Sequence, residues 1–255
     1  MARARNFLAL SDPDPKEMSV VDHLDELRHR LIICILTITL GSIVGAFFVI
    51  HVFSILVVPL NPYLNRPGQG HVIITLPSLT AGFTLYLKLA VAEGVVLGLP
   101  VLLYQIWMFV APAVSIHARR YVVPFVVTGI TLFLIGGTIG FFIFPRVVGF
   151  LVGVGGQFHG TQFILPIDSY VSQFALIVVI FGVVFELPVV LTFLAMIGVT
   201  SSRWLRSKRK YAAMIGLISA MVITPGADPF TPFITAAVVY ILYEASIISV
   251  RLLHR

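Results

Sequence analysis

The chain has 255 residues, of which 58% are hydrophobic and only 11% charged, and its mean hydropathy is +1.03. Soluble domains carry about 25% charged residues, so this composition excludes a soluble globular protein and points to lipid as the solvent. The net charge of +6 does not mark a nucleic-acid binder, because basic and aromatic residues are not interleaved, and the single cysteine, Cys34, excludes a disulfide framework and reads as a small buried hydrophobe.

Residues 1–18 read as a flexible N-terminus. A charged segment follows, His23-Leu24-Asp25-Glu26-Leu27-Arg28-His29-Arg30-Leu31, directly before the first long apolar run. Ser19 and Asp22 have the spacing of a capping box, which starts a helix. Val20, Leu24, Leu27 and Leu31 recur at helical spacing as an apolar stripe, with Asp22, Glu26 and Arg30 on a polar face. The pattern predicts a helix lying at the membrane interface. Two readings of its polar face stand side by side. Glu26 is an acidic contact for a cationic ligand, or Glu26 and Arg30, four residues apart, form a weak internal ion pair.

About 20 apolar residues cross a bilayer as helix. The first run, Leu31–Phe53, is too long for the core of a cleavable signal peptide and lacks a small-residue cleavage site, so it reads as the first span. Phe83–Tyr104, Tyr121–Phe144 and Tyr170–Ile197 follow, then two shorter runs, Tyr211–Thr224 and Phe233–Val250. The fifth is below the usual spanning length, but it pairs with the sixth across the turn Pro225-Gly226-Ala227-Asp228-Pro229. None alternates as barrel strands do. The expected fold is all-α: a polytopic membrane protein of six transmembrane helices, the fifth and sixth short, forming one integral membrane domain over residues 1–255.

All lysines and arginines except Arg66, Lys88 and Arg146 fall in the N-terminal segment, the second-to-third and fourth-to-fifth connections, and the tail. The positive-inside rule then places both termini in the cytoplasm. The opposite connections, 54–82 and 145–169, are long, hold Pro59, Pro62, Pro67, Pro77, Pro145 and Pro166, and stay fairly apolar. They are expected to pack as an external cap.

Within the spans, Glu186 stands two residues before Pro188, in Phe181-Gly182-Val183-Val184-Phe185-Glu186-Leu187-Pro188. An ionisable group at membrane depth faces a cavity or a partner, and the proline predicts a kink. Glu186 is either part of a water-accessible polar site or a protonated packing group. Glu93, in the second span, is open between function and packing. Glu244 reads as an interface residue, and Asp228 as a turn residue or a contact. Gly41/Gly45, Gly94/Gly98 and Gly136/Gly140 have the spacing of close helix approach. No dinucleotide fingerprint, phosphate loop or metal-ligand spacing occurs, so no cofactor or metal is expected. The histidines lie in loops or near the membrane surface, and no enzyme site assembles.

These stretches resemble the TatC family, the multi-spanning receptor subunit of the twin-arginine protein translocase. The resemblance runs over roughly residues 19–250 and rests on the segment His23 to Leu31, on Leu99-Pro100-Val101-Leu102-Leu103-Tyr104-Gln105-Ile106-Trp107-Met108-Phe109-Val110-Ala111-Pro112, on His117-Ala118-Arg119-Arg120, on Phe181 to Pro188 and on Thr224-Pro225-Gly226-Ala227-Asp228-Pro229. It implies a bacterial cell-membrane protein that binds signal peptides with paired arginines on folded precursors. It further implies transport driven by the proton-motive force, TatA- and TatB-like single-span partners, and a homo-oligomer in the assembled complex. It places signal-peptide binding at Glu26, Arg28, Phe109, Arg119 and Arg120, an intramembrane polar site at Glu186, and cap or partner contacts at Pro59 and Asp228. The family's first cytoplasmic loop reads His-Glu-Arg-Arg, with the glutamate as a second contact for the arginines; here that position is Ala118. Another acid such as Asp22 or Asp25 substitutes for it, or signal binding is weakened, or the position has been altered. The Thr-Pro-Gly-Ala-Asp turn is one residue longer than the commoner Thr-Pro-Pro-Asp, a subfamily variant.

A secondary transporter or ion channel using Glu186, Glu93 and Lys88 is the alternative function. It is disfavoured because no inverted repeat relates the halves and little polar lining is available.

Overall fold

Residues 20–45 carry helix formers and no proline, so nothing interrupts a helix there. In a computed structural model describing residues 20–64, 72–110, 122–155, 157, 163–223 and 230–253, they form one helix, α1 (Val20–Gly45). The separate interfacial helix expected ahead of the first span is therefore corrected: the charged segment is the opening of the spanning helix itself. The span also stops earlier than Phe53. The chain turns at residues 46–48, where Phe48 N–H donates to Gly45 O at 2.7 Å, and restarts as α2 (Val49–Val57).

A 3-10 turn, Val58–Leu60, holds Pro59 near its start, where a missing N–H costs nothing. Then come α3 (Asn61–Leu64) and a short strand, β1 (Val72–Thr75). β1 pairs in parallel with β2 (Phe163–Pro166), Val72 opposite Phe163 and Thr75 opposite Pro166. Two four-residue strands are thus the exception to an all-α chain. They tie the two long connections into one layer at the same end of the bundle. Leu56 and Leu60 are buried beneath that layer, and the Tyr170 hydroxyl donates to Leu56 O at 3.3 Å.

The long helices follow: α4 (Ala81–Val110), α5 (Val122–Gly155), α6 (Ile167–Phe185) and α7 (Leu187–Met196). Pro100 and Pro145 lie inside α4 and α5 without ending them. Each removes one backbone bond, which neighbouring turns and packing make tolerable in lipid. Residues 145–155, expected in a connection, therefore continue α5, with Phe144 and Val147 packed inward. α6 is the central helix. Val171 and Phe174 are fully buried, and Phe174 meets the rings of Phe141, Phe144 and Tyr170.

The chain ends with α8 (Ser202–Ser207), α9 (Arg209–Ile223) and α10 (Phe230–Leu253). Among the described residues five helical stretches are long and apolar enough to cross a membrane: His23–Gly45, Ala81–Phe109, Val122–Gly155, Ile167–Met196 and Pro232–Leu252. α9 has 15 residues and reaches about 22 Å at 1.5 Å per residue, against a hydrocarbon core of about 30 Å. The six spans of the sequence reading thus become five and one short helix. α9 lies along α10, and Arg209 Nη2 donates to Glu244 Oε2 at 2.6 Å. Both side chains are partly exposed, so Arg209→Ala is expected to cost at most about 1 kcal/mol; a small drop in melting temperature in detergent checks this.

The paired glycines set how closely the helices approach. Gly41 and Gly45 of α1 face α4, and a Cβ on Gly41 would stand 2.8 Å from Gly94 O. Gly136 and Gly140 of α5 face α6, where a Cβ on Gly136 would stand 2.5 Å from Phe181 O. All three pairs serve packing inside this chain.

Candidate functional site

Because α1 lies against α4, the charged segment at the start of α1 meets the last turns of α4, at the end of the bundle away from the strand pair. Gln105 and Phe109, four apart on α4, face His23, Glu26 and Arg30 of α1. Arg30 Nε donates to Glu26 Oε1 at 3.0 Å, Nη2 donates to the same oxygen, and Nη1 donates to Gln105 Oε1 at 3.1 Å. The His23 ring stacks on Phe109 with centroids 4.4 Å apart and planes at 15°. His23 Nδ1 stands 3.9 Å from Glu26 Oε2.

Both readings of Glu26 therefore have a physical basis. Its Oε1 is taken by the internal pair with Arg30. Its Oε2 is buried and has no hydrogen-bond partner among the described residues. A buried carboxylate oxygen left unpaired is costly, so the site favours one more donor. Arg28 is exposed on the same helix. Ala118, Arg119 and Arg120 lie outside the described residues, as does Asp228. Sequence reasoning missed Gln105 and His23. Gln105 stands one helical turn before Phe109, a spacing that signals a shared face.

Glu186 lies elsewhere. It is the single non-helical residue between α6 and α7, because Pro188 has no N–H and its ring opposes the carbonyl of Val184. Glu186 is 8% exposed, and neither carboxyl oxygen has a hydrogen-bond partner among the described residues. Its carboxyl packs on Gly129 of α5: a Cβ there would meet Oε2 at 2.9 Å and Leu103 at 2.7 Å. The nearby Trp107 Nε1 is likewise buried and unpaired, in a cluster with Phe125 and Phe193. Thr192 Oγ1 donates to Ser249 Oγ at 2.9 Å, joining α7 to α10.

Glu93 is on a different face of α4. It lines a cavity of about 410 Å³ with Phe48, His51 and Val178, and its Oε1 has no hydrogen-bond partner among the described residues. Lys88 lines an adjoining cavity of about 660 Å³ with Ser172 and Gln173. Glu186 lines neither cavity, so the three groups do not assemble into one ion pathway. Pro59 is half-buried in the capping layer. Among the described residues no cluster of histidine, cysteine, aspartate or glutamate could hold a metal ion.

Five membrane-length helices, a capping layer and a polar cluster at the opposite end define a polytopic membrane protein. The family described as Sec-independent protein translocase protein (TatC) matches residues 22–237. Proteins named Sec-independent protein translocase protein TatC are similar over most of their length. That of Desulforapulum autotrophicum is 37% identical over 231 residues, 90% of this chain and 83% of its own. That of Aquifex aeolicus is 36% identical over 232 residues, covering 90% and 93%. That of Escherichia coli is 33% identical over 241 residues, covering 94% and 89%. A crystal structure of the twin-arginine translocase receptor TatC superposes with a TM-score of 0.80 at 35% identity, covering 91% of this chain and all of that one. The chain belongs to the TatC family of protein translocase components.

Proposed function

We propose that this chain is the receptor subunit of a twin-arginine export system and binds paired-arginine signal peptides at the α1–α4 end. The observation that carries this reading is the buried, unpaired Oε2 of Glu26 beside the His23–Phe109 stack. A guanidinium presents several donors in a planar fork and matches a carboxylate at a partly desolvated surface. An incoming arginine bonds Oε2, while Arg30, itself anchored on Gln105 Oε1, holds Glu26 Oε1 and fixes the carboxyl plane. Phe109 offers an apolar face for the residues after the arginines. The family resemblance assigns Arg28, Arg119 and Arg120 to signal-peptide binding as well, and as part of the basic excess of these segments they keep this end in the cytoplasm.

Alanine at 118 removes one expected carboxylate. Asp22 or Asp25, four residues and one residue before Glu26 in the sequence, replaces it only in part, so signal binding is weakened. Pro59 belongs to the external cap, Asp228 to the external hairpin beside partner helices, and Glu186 to an intramembrane polar site. α9 spans a locally thinned bilayer beside α10, which at 24 residues is full length rather than the short sixth span expected. Both termini are cytoplasmic in a bacterial plasma membrane, and the chain acts as one integral domain. It assembles, as a homo-oligomer, with TatA- and TatB-like single-span proteins in transport driven by the proton-motive force.

Site-specific photo-crosslinking in membranes tests this. With a probe at Phe109, a precursor bearing paired arginines is expected to crosslink and one bearing paired lysines is not. Ala118→Glu is expected to raise the yield several-fold by restoring a second carboxylate. Equal crosslinking of both precursors, or none, overturns the proposal.

A further inference from the structure

The segment after α7 gathers Arg203, Arg206, Lys208, Arg209 and Lys210 within eight residues. Arg209 is bonded to Glu244. Among the described residues no carboxylate comes within ion-pair distance of the other four. Directly beside them a groove of about 560 Å³ opens between α7, α9 and α10. Its walls are apolar, with Leu187, Leu191, Ile215 and Val239 among them, and Lys208, Trp204 and Tyr211 line it as well.

We propose that this groove binds one anionic phospholipid, with an acyl chain along α9 and its phosphate at Lys208. The dimensions fit. Lys208 and Ser219 both line the groove, and eleven residues of helix rise about 16 Å, close to half of a hydrocarbon core of about 30 Å. One leaflet's acyl chain spans that distance. The charge fits too. Lys208 Nζ stands 5.2 Å from the centre of the Tyr211 ring, which orients the ammonium at the groove mouth. Trp204 is 50% exposed, where an indole suits the headgroup level.

The mouth is also rigidly built. The Tyr243 hydroxyl donates to Leu205 O at 2.8 Å, Leu205 is 1% exposed, and Trp204 N–H donates to the Ser201 side chain at 3.2 Å. The basic turn is thereby held over the groove. A zwitterionic lipid would fill the same apolar walls but leave these cations without an anion. A partner helix would also fill them, yet nothing apolar satisfies the unpaired charges.

The test uses the full chain in lipid nanodiscs. There are two tryptophans, so Trp107→Phe leaves Trp204 as the sole reporter. Phosphatidylglycerol with brominated chains is expected to quench Trp204 at lower mole fraction than brominated phosphatidylcholine. Lys208→Gln is expected to weaken that preference roughly fivefold, and Lys210→Gln, whose side chain does not line the groove, to leave it. Native mass spectrometry of the chain with both tryptophans gives a second readout: retained anionic lipid, lost in Lys208→Gln. Equal quenching by the two lipids overturns the proposal, since a partner helix or ordinary lipid then fills the groove. Equal loss in both lysine variants also overturns it, leaving only diffuse surface charge.

Discussion

Gly94→Leu is expected to abolish accumulation of the folded protein in the membrane. A Cβ at Gly94 would stand 2.3 Å from Ser42 Oγ, 2.6 Å from Ser42 N and 2.7 Å from Ile38 O. Ser42 Oγ donates to Ile38 O at 2.7 Å, so turning it away breaks a bond and still leaves two backbone atoms in place. α1 packs chiefly on α4, and among the described residues its spanning stretch has no other broad contact to hold it. Inserting atoms into a packed contact costs about 1–3 kcal/mol even where side chains can shift; here two helix backbones must separate. Gly94→Ala is expected to lower the melting temperature in detergent and Gly94→Leu to remove the folded species. Gly153→Ala, with nothing within 4 Å, leaves both unchanged. The α5–α6 contact supplies a matched comparison. Gly136→Ala meets Phe181 O at 2.5 Å and is destabilising, whereas Gly137→Ala meets only Val178 at 3.5 Å and is tolerated. Native-like melting of Gly94→Leu would refute the close approach of α1 and α4.

Glu26→Ala is expected to reduce paired-arginine-dependent binding by about 10- to 100-fold. A hydrogen bond to a charged group contributes about 1.5–3 kcal/mol, and each 1.4 kcal/mol is tenfold. Losing Glu26 also frees Arg30, which adds an unpaired cation where a cationic ligand must dock. Arg30→Gln is therefore the informative companion. It removes a competitor for the carboxylate and is expected to preserve or strengthen binding. Titration of a fluorescent signal peptide against the protein in nanodiscs reads both. Unchanged affinity in Glu26→Ala would sink the receptor site, without bearing on the lipid groove, which is lined by other residues.

The helices were legible because long apolar runs have one stable solution in lipid: every backbone group must bond within its own segment. Their ends were less so. Pro145 reads as a breaker, yet α5 continues to Gly155 because apolar residues beyond it keep the helix packed. The strand pair escaped notice, since four-residue segments in proline- and glycine-rich connections carry no periodic signal. Glu26 and Glu186 stood out for the cost of charge beside or within lipid. Trp107, equally buried and unpaired at Nε1, looked like one more apolar residue.

Several features follow from the sequence by itself: a lipid-solvated helical chain, the asymmetry of its basic residues, the charged segment before the first span, and the motifs shared with TatC proteins. These are properties of composition and local order, which need no partner to be read. Only the tertiary structure decided which glycine pairs join, that Gln105 meets Arg30 and Phe109 meets His23, and that one oxygen of Glu26 is bonded while the other is not. Those depend on how closely and at what register two distant helices cross. Register is set by steric fit between surfaces some 75 residues apart, as Arg30 and Gln105 are, and no local pattern encodes that fit.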